Sequence, residues 1–290
     1  MNTTPSISSS AMLVELSIST WTGRKLDKNA STEVTFNKRA VRGAANVNKK
    51  LLADCSELDA VQKFAANSRS AHYDSTMPWS DMGMRLLPTT KYFDYHNKIT
   101  AVQGEFFRLV EEFLRAYDWE VARAQVQLGD LFNRSEYPTA DSIRTKFKFH
   151  ISYMPVPDAG DWRLDIGNDA VQELATHYTE YYTTQLNNAM GDLWGRLHQV
   201  LSRMSDRLDY STDETKKIFR DTLVENVLDV VAMMKSCNIT NNMHMTAAAE
   251  KLESTLLGVT PDALREDDWL RGETKRKVDE VISALPSLDL

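Results

Sequence analysis

With 290 residues, 42% of them hydrophobic and 26% charged, the chain has enough apolar matter for one large domain or two ordinary ones, which excludes wholesale intrinsic disorder. A formal net charge of −7 opposes indiscriminate adhesion to nucleic acid or to an anionic membrane. No apolar run approaches the roughly 20 residues of a membrane span, and residues 1–10 lack the basic start and apolar stretch of a secretory signal, so a cytoplasmic location without membrane contact is expected.

Taken in chain order, residues 1–11 read as a disordered N-terminus. Over 12–20, Val14, Leu16 and Ile18 alternate with Glu15, Ser17 and Ser19, the two-residue period of a half-buried strand. A short helix is expected over 31–41, stopped by Gly43. Another is expected from an N-cap at Ser56 to about residue 71, with Leu58, Val61, Phe64 and Ala65 on one side. After a proline-bearing loop and a brief strand at 84–87, Thr89 or Thr90 caps a long helix. Its stripe runs through Phe93, Ile99, Val102, Phe106, Val110, Phe113, Tyr117, Val121, Ala124, Leu128 and Leu131.

Phe147, Phe149, Ile151 and Tyr153 mark a strand, paired in this reading with 162–166 across a proline-rich loop. Asn168 caps a second long helix, striped by Val171, Leu174, Tyr178, Tyr181, Leu186, Met190, Leu193, Leu197, Val200, Met204 and Leu208. Two such stripes are most simply buried against each other as an antiparallel pair, within one chain or across a homodimer. Phe219, Leu223, Val227, Val231 and Met234 mark a further helix, 245–257 another ended by Gly258, and Thr260 before Pro261 starts a last short pair. The expected fold class is therefore α+β, mostly α: two long antiparallel amphipathic helices, a small antiparallel sheet and a helical C-terminal part. The expected organisation is a mixed domain over 12–210 followed by a helical region over 211–290.

Motifs for chemistry are missing from the sequence. Neither a phosphate-cradling glycine loop nor a nucleophile elbow occurs, and no histidine stands three to five residues from another histidine or a cysteine. Cys55 and Cys237 read as buried thiols. Asp158, Asp161, Asp165 and Asp169 form the best candidate cation site, against simple turn and cap roles; an enzyme built around them is the minority reading. No catalytic residue, metal or cofactor is assigned, and the chain reads as non-enzymatic.

Charge is the uneven feature. Residues 21–50 carry Arg24, Lys25, Lys28, Lys38, Arg39, Arg42, Lys49 and Lys50 against Asp27 and Glu33, a net +6, which leaves −13 for the remainder. Cations beside an aromatic residue are how many single-strand binders pair phosphates and stack bases. Trp21, Arg24, Lys25, Lys28, Lys38, Arg39 and Arg42 are accordingly the candidate nucleic-acid site. The alternative is a solvated face that meets the acidic remainder of the molecule.

Several phrases of sequence resemble an uncharacterised family found in phages and bacteria. They are Leu16-Ser17-Ile18-Ser19-Thr20-Trp21-Thr22-Gly23-Arg24-Lys25, Pro78-Trp79-Ser80-Asp81, Arg85-Leu86-Leu87-Pro88, Leu131-Phe132-Asn133 through Tyr137-Pro138, Met154-Pro155-Val156-Pro157-Asp158-Ala159-Gly160-Asp161 and Phe219-Arg220-Asp221-Thr222-Leu223-Val224-Glu225-Asn226. Members of that family are often encoded beside a MoxR-type AAA+ ATPase and a von Willebrand A domain protein. The resemblance implies an accessory or adaptor protein of a phage-encoded remodelling system, with one of those two proteins as partner. It carries no catalytic residues. A single-stranded nucleic-acid-binding factor in phage transcription or replication is the alternative function.

Overall fold

The structure is a computed structural model that describes residues 10–156, 168–210 and 220–286, with side chains left out over 168–175. In chain order the strands and helices are β1 (Ala11–Ser19), β2 (Arg24–Asp27), α1 (Lys28–Asn37), β3 (Val47–Lys50), α2 (Ser56–Ser75), β4 (Met77–Pro78), β5 (Arg85–Pro88), α3 (Tyr92–Leu128), α4 (Ala140–Arg144) and β6 (Lys148–Pro155). They continue with α5 (Asn168–Leu208), α6 (Thr222–Cys237), α7 (Met243–Leu256), α8 (Pro261–Glu266) and α9 (Asp268–Ala284). The fold is α+β, mostly α, with two long amphipathic helices, one four-stranded antiparallel sheet and one two-stranded sheet. No helix among the described residues is long and apolar enough to cross a membrane.

Strand order in the larger sheet is β4-β5-β1-β6. The first half of β1 pairs antiparallel with β5 in the register Ala11↔Pro88 to Val14↔Arg85. Ala11 and Leu13 enter the core cluster that holds α5 and α6, while Val14, on the other face, is buried outside that cluster, so both faces of the strand are covered, a pattern that simple alternation does not anticipate. Among the described residues β6 pairs with β1; the partner strand expected at 162–166 lies outside them.

The chain falls into two units, each discontinuous in sequence. One holds the described parts of Met1–Glu15, Tyr73–Tyr95 and Ser152–Leu290; the other holds Leu16–His72 and His96–Ile151. The boundary near residue 210 expected from sequence falls inside the first unit, because α5 packs on α6 and α9 instead of ending a domain.

In the first unit the α5 stripe of Ala189, Leu193, Leu197, Leu201, Met204 and Leu208 meets Val227, Val231 and Met234 of α6, Ala249 and Leu252 of α7, and Val278 and Val281 of α9. At about 1.5–3 kcal/mol for each buried aliphatic side chain, this stripe is the main source of cohesion there. The same cluster holds Leu13, Met77, Trp79 and Leu86 from the sheet. Thr260 caps α8 by accepting from the Ala263 N–H, and Pro261 takes the first turn as expected.

Two arginines close the C-terminal end of α2 in this unit. Arg196 donates to the carbonyls of Asp74, Tyr73 and Thr76 at 2.9, 2.9 and 3.0 Å, and its Nε faces Asp192 at 2.8 Å. Arg85 donates to the Thr76 hydroxyl and carbonyl at 2.6 and 2.8 Å while lying 4.8 Å from the centre of the Tyr73 ring. Both cations meet carbonyls at or just beyond the last turn of the helix, the negative end of its dipole.

The second unit is held by rings. Trp21 lies 6.1 Å from Phe113 and 6.0 Å from Tyr117, and Phe106 and Phe113 of α3 meet Phe147, the residue before β6. Their polar ends reach backbone: the Tyr117 hydroxyl donates to Pro138 O at 2.8 Å and the Tyr137 hydroxyl to Leu51 O at 2.7 Å. The α3 stripe is thus covered from within its own unit, and the α5 stripe likewise, where sequence reasoning had the two long helices bury their stripes against each other. Phe93, expected in the α3 stripe, is 73% exposed.

Candidate functional site

The basic segment folds as a small lobe of the second unit. Strands β2 and β3 pair antiparallel in the register Arg24↔Lys50, Lys25↔Lys49, Leu26↔Asn48 and Asp27↔Val47, and α1 is inserted between them. Gly23 turns the chain into β2 at φ +61°, a conformation that L side chains adopt at a cost; a Cβ there would also come within 2.9 Å of Leu58 Cδ2. Asp27 caps α1 by accepting from the Ala30 N–H at 3.0 Å. Ser31 ties the helix back to the ribbon, donating to Asp27 O at 2.5 Å and accepting from the Val47 N–H at 2.9 Å. The helix therefore begins at residue 28, three residues before the expected start, because the cap is Asp27.

Beneath the ribbon Lys49 is buried. Its Nζ meets Glu136 at 2.8 Å, Asp27 at 3.0 Å and the Leu131 carbonyl at 2.8 Å, which uses all three of its protons. Burial alone would lower this ammonium, but hydrogen bonding and attraction from Glu136 and Asp27 outweigh it and hold the group above its ordinary 10.5. The Asp27 carboxyl is held below its ordinary 3.8, chiefly by the Ala30 N–H and then by Lys49. Lys49 is thus a structural pin, and the cations left to function are the others.

Those others face outward. Arg24, Lys28, Lys38, Arg39, Arg42 and Lys50 are exposed and make no ion pair among the described residues, while Lys25 stands 3.9 Å from Glu136. Arg24 and Lys50 are cross-strand partners on one face of the ribbon, a like-charge arrangement that costs free energy and is relieved by an external anion. Arg39 adopts φ +51° in the turn after α1. Lys28 and Arg42 share a hollow of 140 Å³ with Leu26, Ser31, Thr35 and Asn46.

The lobe also exposes apolar side chains. Phe36 is 82% and Val41 80% exposed, and Val34 and Leu26 are exposed as well. Thr35 is the one buried residue of α1. A ten-residue helix is marginal in isolation, and α1 does not gain its stability from a buried apolar face; caps and ties to the ribbon hold it in place while its face stays open.

The structure brings Arg24, Lys25, Lys28, Lys38, Arg39 and Arg42 together on this lobe but takes Trp21 away from it. The Trp21 ring is buried against Phe113 and Tyr117, and its carbonyl accepts from Gln62 at 2.9 Å, so no base can stack on it. Asp158, Asp161 and Asp165 lie outside the described residues, as does the side chain of Asp169.

Cys55, Glu57 and Glu120 form a group that sequence spacing does not connect, with ligand atoms within 4.8 Å of one another. Each already has an internal partner. Glu120 accepts from Arg123 at 2.6 Å, Glu57 accepts from the Ser56 hydroxyl at 2.9 Å, and the Cys55 thiol approaches Glu57 at 3.9 Å. Burial, aided by the charges of Glu120 and Glu57, pushes that thiol up to about 11, which makes it a poor nucleophile. Comparison with known proteins finds no matching family model, no matching curated protein and no matching solved structure.

Proposed function

We propose that the protein is a binding module without chemistry of its own, an adaptor that docks a partner protein through the β2–α1–β3 lobe. The observation that carries this reading is the open face of α1. Phe36 stands bare among unpaired cations on an element that the fold holds in place without burying, and Val41, in the segment after the helix, is equally bare. Apolar side chains surrounded by charge are the usual composition of a docking patch. The resemblance to the phage and bacterial family makes an AAA+ ATPase module or a von Willebrand A domain protein the partner class, and the cytoplasm the compartment.

The test is capture of partners by the affinity-tagged protein from cells that encode it, with and without nuclease, beside the same protein carrying Phe36→Ser and Val41→Ser. A partner retained through nuclease and lost with the double substitution supports the proposal. An unchanged set of partners refutes it.

A second reading, single-stranded nucleic acid bound by Arg24, Lys28, Lys38, Arg39 and Arg42, is favoured by the same unpaired cations and weakened by the burial of Trp21. It predicts affinity for a single strand that falls steeply with salt, and captured partners that nuclease removes.

A further inference from the structure

The lobe offers two recognition elements. One is the hollow shared by Lys28 and Arg42, whose lining of Leu26, Ser31, Thr32, Thr35, Gly43, Ala45 and Asn46 contains no carboxylate. The hydroxyl protons around it are already committed: Ser31 donates to Asp27 O, Thr32 to Lys28 O at 2.9 Å and Thr35 to Thr32 O at 2.9 Å. The cations and the Asn46 amide are therefore the groups left to meet a ligand, and an anionic group fits them. The other element is the bare apolar surface of Phe36 and Val41.

A volume of 140 Å³ matches a single anionic head group. A nucleic-acid strand, moreover, brings phosphates to the cations and a base to the Phe36 ring, but it leaves the aliphatic Val41 without a counterpart. From these facts we infer that the occupant of the lobe is an acidic, apolar segment of a protein. An Asp or Glu carboxylate of that segment sits between Lys28 and Arg42, and Leu-, Ile-, Met- or Phe-type side chains cover Phe36 and Val41. The inference rests on the docking function proposed above and specifies its partner chemistry. Arg24 and Lys50, facing each other across the ribbon, supply a second point where an acidic residue of the same segment relieves repulsion. Steering by these charges favours association with acidic segments over neutral ones.

The experiment is selection of a displayed library of random 12-residue peptides on the full-length protein, followed by fluorescence anisotropy with the enriched sequences. The expected result is enrichment of peptides that combine Asp or Glu with large aliphatic or aromatic residues. Their affinity should fall at least tenfold with Lys28→Glu plus Arg42→Glu, and also with Phe36→Ser. Both sets of substitutions sit at exposed side chains, and circular dichroism identifies any variant that fails to fold; Lys28→Gln plus Arg42→Gln then replaces the charge reversal.

Enrichment of basic or uncharged peptides overturns the inference. So does binding that ignores Phe36, or displacement of bound peptide by a 20-nucleotide single strand at equal concentration. If the partner-capture experiment shows a lobe-dependent protein while the library yields no acidic, apolar consensus, the partner chemistry is wrong and the docking function stands. If lobe substitutions leave captured partners unchanged, the docking function itself fails.

Discussion

Replacing Lys49 by Met tests whether the lobe is pinned as described. The substitution keeps the aliphatic stem and removes one positive charge from between Asp27 and Glu136, whose side chains are each only 13% exposed, and it frees the Leu131 carbonyl. Removing one partner of a buried ionic cluster costs about 3–5 kcal/mol. Partial hydration of the two carboxylates places the expected loss at the lower end, about 3 kcal/mol, or a fall of roughly 10 °C in melting temperature.

The pH dependence has a definite sign. Lys49 is held above its ordinary 10.5, so its contribution is complete below that value and fades as pH rises through the raised one. Asp27 is held below its ordinary 3.8, so its contribution is complete above that value and fades as pH falls through the lowered one. The difference between wild type and Lys49→Met, read by urea denaturation, should therefore be full between pH 3.8 and 10.5 and shrink outside that window. Adding Asp27→Asn and Glu136→Gln to Lys49→Met should recover part of the loss, since Asn also caps a helix and neither amide leaves a buried charge. A Lys49→Met protein within about 0.5 kcal/mol of wild type at pH 7, the range of an ordinary surface change, would refute the pinned-lobe account.

Gly23→Ala should destabilise the protein by about 1–2 kcal/mol, the cost of a side chain at φ +61°, and a thermal melt equal to wild type would count against the turn. Arg196→Ala should lower the unfolding free energy by about 1–3 kcal/mol because the Asp74 carbonyl loses its donor and those of Tyr73 and Thr76 keep only weaker or shared ones, and Arg196→Lys should recover little of it, since one ammonium cannot reproduce the fork; full recovery by Lys contradicts the cap. Cys55 and Cys237, both buried with thiols pushed up to about 11 by burial, should resist an aromatic disulfide reagent at pH 7 and react fully in denaturant, so rapid native labelling of either would be inconsistent with the structure. Phe36→Ser should leave stability within about 0.5 kcal/mol of wild type, as expected for a side chain that packs on nothing, and a larger loss by chemical denaturation would show that α1 needs it.

The long helices were legible because their stripes repeat over many turns, so α3 and α5 are found close to where periodicity puts them. What covers each stripe was not legible. Any apolar stripe satisfies any other in sequence terms, and the partners of α5 come from α6, α7 and α9, up to about ninety residues further along the chain. Tertiary position also decided the fate of single aromatic residues. Trp21 adjoins the cations in sequence, yet Gly23 bends the chain so that the indole enters the ring cluster with Phe113 and Tyr117. The reverse holds for Phe36, which sequence reasoning passed over and which stands bare because α1 has no covering neighbour on that face. Lys49 looked like one more cation of the patch; only the return of the loop carrying Leu131 and Glu136 makes it a buried pin. A signal for the lobe did exist in the chain: a dense run of positive charge inside an acidic sequence, with Phe36 and Val41 set within it.

The central claim, that this lobe is where the protein docks its partner, is tested most directly by placing the photoreactive residue p-benzoylphenylalanine at position 36 and irradiating cells that produce the protein. A control carries the same residue at position 262, where Asp262 is 82% exposed. The account predicts a discrete protein adduct from position 36 that survives nuclease, is absent from position 262 and is lost when Lys28 and Arg42 are reversed in charge. Adducts that are the same from both positions, or that nuclease removes from position 36, would contradict it.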